Sequence, residues 1–193
     1  MAFELRRTTP KRRTSIQSKP HYRQYREELA ADFDHHCGYC GDSDSPRKEC
    51  FEIDHFVPKK HLNTISKNDY TNLVYACRSC NNAKRAKWPT EKENISNNGK
   101  CGWIDPCDDS YDEQFERSDT GVIVAKTELG RWMYDNLKLW KKQHEVLWNI
   151  EQLDRLIEEI EPLLKSCDDI SVYKDITQLF FKARALVKNF YAE

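Results

Sequence analysis

The chain holds two cysteine pairs of the form CxxC, Cys37-Gly38-Tyr39-Cys40 and Cys77-Arg78-Ser79-Cys80, with 36 residues between Cys40 and Cys77. Two thiolates three positions apart can take adjacent corners of a metal tetrahedron, and Gly38 and Gly41 permit the tight turn this requires. One such pair is a weak signal. Two pairs point to one structural zinc held by Cys37, Cys40, Cys77 and Cys80, with His35 and His36 as substitute ligands of lower claim. The gap exceeds that of an ordinary zinc finger, so the intervening segment is expected to fold in its own right. It contains Asp54-His55, a carboxylate that can hold a cation beside an imidazole that can accept a proton at neutral pH. Asn72 lies further along, and Asn81, Lys84, Arg85 and Lys87 follow the second pair.

These side chains need elements to place them. Residues 51–57 alternate apolar and polar as a strand does, with Phe51, Ile53 and His55 on one face and Glu52 and Asp54 on the other. Pro58 ends that run. Leu73 to Ala76 reads as a second strand, and Asn81 to Ala86 as a short helix stopped near Trp88-Pro89. Before them, Tyr22, Tyr25, Leu29 and Phe33 recur at spacings of three and four, which predicts a helix from about His21 to Asp34. The order is strand, loop, strand, knuckle, helix, and it should bring Asp54 and His55 close to Asn81.

Taken together, Cys-x-x-Cys, Asp-His-x-x-Pro, Asn-Leu and Cys-x-x-Cys-Asn-x-x-Lys resemble the HNH endonuclease family over roughly residues 37–87. The resemblance implies an α+β fold, a ββα-metal nuclease core with a structural zinc. It also implies that His55 is the general base, that Asp54 and Asn81 hold a catalytic Mg²⁺ or Mn²⁺, and that Asn72 braces the loop and orients His55. Many family members have histidine where this chain has Asn81; the amide oxygen suits a hard cation. Lys84, Arg85 and Lys87 are the expected phosphate contacts. The Asp-Pro-Cys segment at 105–107, with Tyr111, Asp112 and Phe115 beyond it, is similar to the nuclease components of Septu-type antiphage systems. That similarity implies a defence role alongside an ATPase partner subunit.

Composition bounds the alternatives. Charged residues make up 33% of the chain and hydrophobic ones 38%, polar for a globular protein but not the composition of a fully disordered one. No apolar run approaches the roughly 20 residues that span a bilayer, and the basic N-terminus lacks a following apolar stretch, so a cytoplasmic protein is expected. A reducing compartment also favours metal over disulfides for these cysteines. Net charge divides unevenly: residues 1–90 carry 17 Lys/Arg against 11 Asp/Glu, while residues 91–193 carry 14 against 21. The basic half suits a polyanion such as DNA.

Residues 1–19 read as a flexible basic arm in which Arg12 and Arg13 could follow a phosphate backbone, and 20–90 as the nuclease core with its leading helix. A loop-rich connector with one short strand is expected over 91–126, its aspartates forming a solvated turn. From 127 to 193 two amphipathic stripes with a turn at Ser166–Ser171 predict an antiparallel helical hairpin, suited either to covering the core or to docking a partner or a second copy. The competing reading is a zinc-stabilised nucleic-acid-binding module without catalysis.

Overall fold

The structure is a computed structural model that describes residues 2–45, 47–165 and 172–181. It divides into two units, Met1–Glu145 and Val146–Glu193. At the centre of the first lies an antiparallel pair, β1 (Phe51–His55) and β2 (Leu73–Cys77), registered so that Phe51 faces Cys77 and His55 faces Leu73. Every residue of β2 is buried. Two short helices pack on this pair, α1 (Arg26–Asp32) and α2 (Arg78–Lys84). The predicted leading helix is a 3₁₀ turn, Tyr22–Tyr25, running into α1, and it buries Tyr25, Leu29 and Phe33 as its periodicity requires.

α2 begins inside the second CxxC rather than after it. Cys77 is its N-cap, with Sγ accepting from the Cys80 amide at 3.4 Å, so the ligand turn and the helix start are one structure. The knuckle is stitched to β2 by the Gly38 amide, which donates to the Tyr75 carbonyl at 2.9 Å. A Cβ on Gly38 would come within 2.6 Å of the Phe33 ring and 2.9 Å of Val74, so only glycine allows that approach.

Residues 2–19 are not a free arm. Phe3 exchanges backbone hydrogen bonds with Arg117 at 2.7 Å in both directions, and Leu5 is buried. Arg6 is buried against Asp112 (2.6 Å) and donates to the carbonyls of Gly38 and Pro106. Arg12 pairs with Asp105 at 3.0 Å and donates to the Leu73 carbonyl, and Arg13 pairs with Asp32 at 2.7 Å. The acidic turn therefore supplies counter-charges for Arg6 and Arg12, and α1 supplies one for Arg13. A guanidinium offers five donors, and here carboxylates and carbonyls of the same chain occupy them.

The connector forms a second small sheet, β3 (Phe115–Arg117) with β4 (Ile123–Ala125), followed by α3 (Glu128–Leu137). Thr127 caps α3 by accepting from the Gly130 amide at 2.8 Å. α3 packs on α2 and belongs to the first unit, although the sequence pattern groups it with the C-terminal extension. α4 (Lys142–Lys165) begins at the end of the first unit and runs on into the second, which also holds a helix over 172–181; Leu156, Tyr173, Leu179 and Phe181 are exposed. The expected turn at Ser166–Ser171 and the apolar stripe beyond 181 lie outside the described residues.

Candidate active site

The four cysteines converge as their spacing predicts: Cys37, Cys40, Cys77 and Cys80 are buried with all Sγ atoms within 4.8 Å of one another. Cys40 and Cys77 Sγ are 3.8 Å apart. A zinc tetrahedron with bonds of about 2.3 Å has edges of about 3.8 Å, so the cradle fits that ion. Burial raises the Cys40 thiol well above its ordinary range, so loading zinc must displace protons from the cluster. His35 and His36 are turned to Asp44 and to the Asp34 carbonyl, away from the thiols. Asp42 and His144 lie beside Cys40 and could complete a second metal set by residue type alone. The buried Arg117 guanidinium, 3.3 Å from Asp42 and donating to the Cys40 carbonyl at 2.7 Å, puts a positive charge there instead.

Asp54 is buried one side chain away from the knuckle. Its Oδ2 accepts from the Tyr39 hydroxyl at 2.6 Å and lies 2.8 Å from the Lys84 ammonium. Tyr39 sits between the two cysteines of the first pair, so the cysteine turn itself holds this carboxylate. Burial and the facing Asp54 charge raise the Tyr39 phenol well above its usual range, keeping it a donor. Lys84, which the sequence offered as a phosphate contact, is fully buried; it also donates to the His55 carbonyl at 2.9 Å and lies near the rings of Tyr39 and Trp103. A cation with those partners serves the fold and cannot reach DNA.

Asn81 lies on α2 one turn before Lys84, and its Nδ2 donates to Glu52 at 2.5 Å. The other Glu52 oxygen accepts from Arg78 at 3.0 Å. The seam between β1 and α2 thus carries two rungs, Glu52 with Asn81 and Asp54 with Lys84, as period two on a strand and period three on a helix require. Glu52 was not singled out by the sequence; its place two residues before Asp54 on the same strand face was the available signal.

The His55 imidazole points to the other face of β1. Its Nε2 lies 2.8 Å from the Lys67 carbonyl, and Tyr22 meets the ring edge-on at 4.7 Å between centroids. A carbonyl can only accept, so the Nε2 bears hydrogen, and in the neutral ring the lone pair is on Nδ1. Burial lowers the pKa of His55 below the ordinary 6.5, with Lys59 and Lys84 adding to the effect against the Lys67 bond and Asp54. Asn72 grips the chain just beyond, accepting from the Val57 amide at 2.8 Å and donating to its carbonyl at 3.1 Å.

Of the other expected phosphate contacts, Arg12 and Arg13 are engaged with Asp105 and Asp32, as above. Arg85 and Lys87 are exposed and donate only to the carbonyls of Asn82 and Asn136. Lys59, Lys60 and Lys67, on the loop that holds His55, are exposed too. None of these five cations has a carboxylate partner among the described residues.

With this arrangement in view, comparison with known proteins is specific. Residues 37–87 match the HNH endonuclease family. This HNH segment contains both cysteine pairs, β1, β2 and α2. A Septu protein, PtuB from Bacillus mycoides (strain KBAB4), is 32% identical over 116 residues, which are 49% of this chain and 38% of that protein. The chain thus matches well under half the length of that relative. No solved structure gives a significant match. The sequence reading of an α+β HNH core with a four-cysteine cluster and helices toward the C-terminus agrees with these findings. No helix among the described residues is long and apolar enough to cross a membrane.

Proposed function

We propose that the chain is a metal-dependent endonuclease that hydrolyses DNA phosphodiester bonds, with His55 as general base. The observation that carries the reading is the bond from His55 to the Lys67 carbonyl. It fixes the ring so that Nδ1 holds the lone pair, while burial keeps the ring neutral at pH 7. His55 Nδ1 takes a proton from water as the water oxygen attacks phosphorus and the bond to the leaving 3′ oxygen breaks. Asp54 and Asn81 are the residues to hold Mg²⁺ or Mn²⁺, whose charge would offset that building on the phosphate and the leaving oxygen. Adjacent residues at the end of β1 present base and carboxylate to opposite sides of the strand, so a phosphate lying across that end meets both. Lys59, Lys60, Lys67, Arg85 and Lys87 supply unpaired positive charge for the DNA backbone. Asn72 holds the turn after His55, and the four cysteines hold zinc.

Similarity to a Septu protein supports a place in antiphage defence beside an ATPase partner subunit. The exposed apolar side chains of 172–181 offer a surface for that partner or for a second copy. A cytoplasmic location follows from the same reading.

The test is cleavage of supercoiled plasmid by purified protein with Mg²⁺ or Mn²⁺, alone and with copurifying proteins. Nicking or linearisation reduced roughly 10²–10⁴-fold by His55→Ala, at unchanged zinc content, is the expected result. Binding without cutting under all conditions would leave a zinc-held nucleic-acid-binding module.

A further inference from the structure

We infer that Glu52 is a positioning residue that fixes the side-chain amide of Asn81 so that its oxygen, not its nitrogen, faces the catalytic cation. The inference rests on the nuclease reading above and deepens it.

An asparagine is a cation ligand only through Oδ1. Its amide has nearly the same shape when turned by 180°, and the turned form presents two N–H donors to the cation, which repels them. Asn81 is half-buried at the α2 seam, and something must choose between the two orientations. Glu52 makes that choice. Its carboxylate can only accept, and the 2.5 Å contact places the amide nitrogen against it. The flipped amide would set oxygen against a carboxylate oxygen at the same distance. Arg78 holds the other carboxylate oxygen at 3.0 Å and so keeps Glu52 pointed along the seam.

Asp54 is treated in the same way. Tyr39 and Lys84 both engage its Oδ2, and its Oδ1 accepts no hydrogen bond among the described residues. Each proposed ligand therefore has one terminal atom tied to the protein and one oxygen left over. Glu52 does for Asn81 what Tyr39 and Lys84 do for Asp54. It is not itself a ligand in this arrangement, because both its oxygens are engaged by α2.

A cycle of substitutions read by direct Mn²⁺ binding, with zinc already loaded, tests this. Glu52→Val suits a strand and removes the acceptor; it should weaken Mn²⁺ binding roughly tenfold, with saturating metal restoring most of the cleavage rate. Glu52→Gln keeps an acceptor for Asn81 Nδ2 and should bind within about twofold of the parent. In an Asn81→Asp background both terminal atoms are oxygen, so Glu52→Val should no longer weaken Mn²⁺ binding and should strengthen it by removing a like charge. Equal binding by the parent and Glu52→Val overturns the inference while leaving the nuclease reading intact. Roughly tenfold weakening by Glu52→Gln relative to the parent makes Glu52 a charged ligand and overturns it too, and this arm stands even if the valine variant does not fold. Mn²⁺ binding that Asn81→Ala leaves unchanged removes both the inference and the cation site it depends on.

Discussion

The two faces of β1 hold neighbouring residues by unrelated means. On one face Glu52 and Asp54 are fastened to α2 and to the knuckle tyrosine by charge-assisted bonds. On the other His55 rests on a backbone carbonyl of the 56–72 loop and the edge of one aromatic ring. The first face depends on the cysteine cluster, because Tyr39, Asn81 and Lys84 all belong to turns that the cysteines shape. The second depends on Asn72 and the loop it closes. Adjacent residues can therefore fail separately, and that separation can be measured.

Cys77→Ser should produce the largest effect, because Cys77 is at once a ligand, the α2 cap and the end of β2. Loss of the zinc equivalent and of cooperative thermal unfolding is expected, on the order of the whole stability of a small domain, about 5–15 kcal/mol. A full zinc equivalent in the variant would show that Cys77 is not one of the zinc ligands. Lys84→Met comes next, since it leaves the buried Asp54 carboxylate without its cation. A loss of about 3–5 kcal/mol in urea unfolding is expected while zinc is retained. An unchanged midpoint would mean that Tyr39 alone suffices for Asp54.

The smallest effect is a pH dependence confined to the His55 face. With the folded pKa below 6.5, cleavage should be flat through neutrality and fall as pH drops through that lowered value. The stability contribution has a matching sign. The unfolded chain binds the proton more readily, so the contribution is complete above 6.5 and declines as pH falls below it. An acid limb centred above 6.5 would show that the base is not this buried imidazole.

The cysteine site was legible because spacing within each pair is local, and the strand and helix that join the pairs follow from period and turn residues. The roles of the charged residues were legible only in part. Lys84 sits one helical turn beyond Asn81, as anticipated, but whether a lysine on a helix faces water or a buried carboxylate depends on a strand 30 residues earlier. Arg6, Arg12 and Arg13 read as phosphate-seeking because their partners, Asp112, Asp105 and Asp32, are separated from them by 19 to 106 residues. Sequence composition cannot distinguish a cation awaiting a polyanion from one already matched within the chain. Glu52 escaped notice for a similar reason, because its role comes from Asn81 across the seam.

Arg6 ties three stretches of chain at once, the knuckle at Gly38, the connector at Pro106 and the acidic turn at Asp112, while Phe3 lengthens the sheet edge at Arg117. The first dozen residues thus work as a clasp across the cysteine turn. Trimming them to obtain a minimal nuclease, as their composition would invite, would strip the cover from the cysteine cradle and strand several carboxylates without counter-ions.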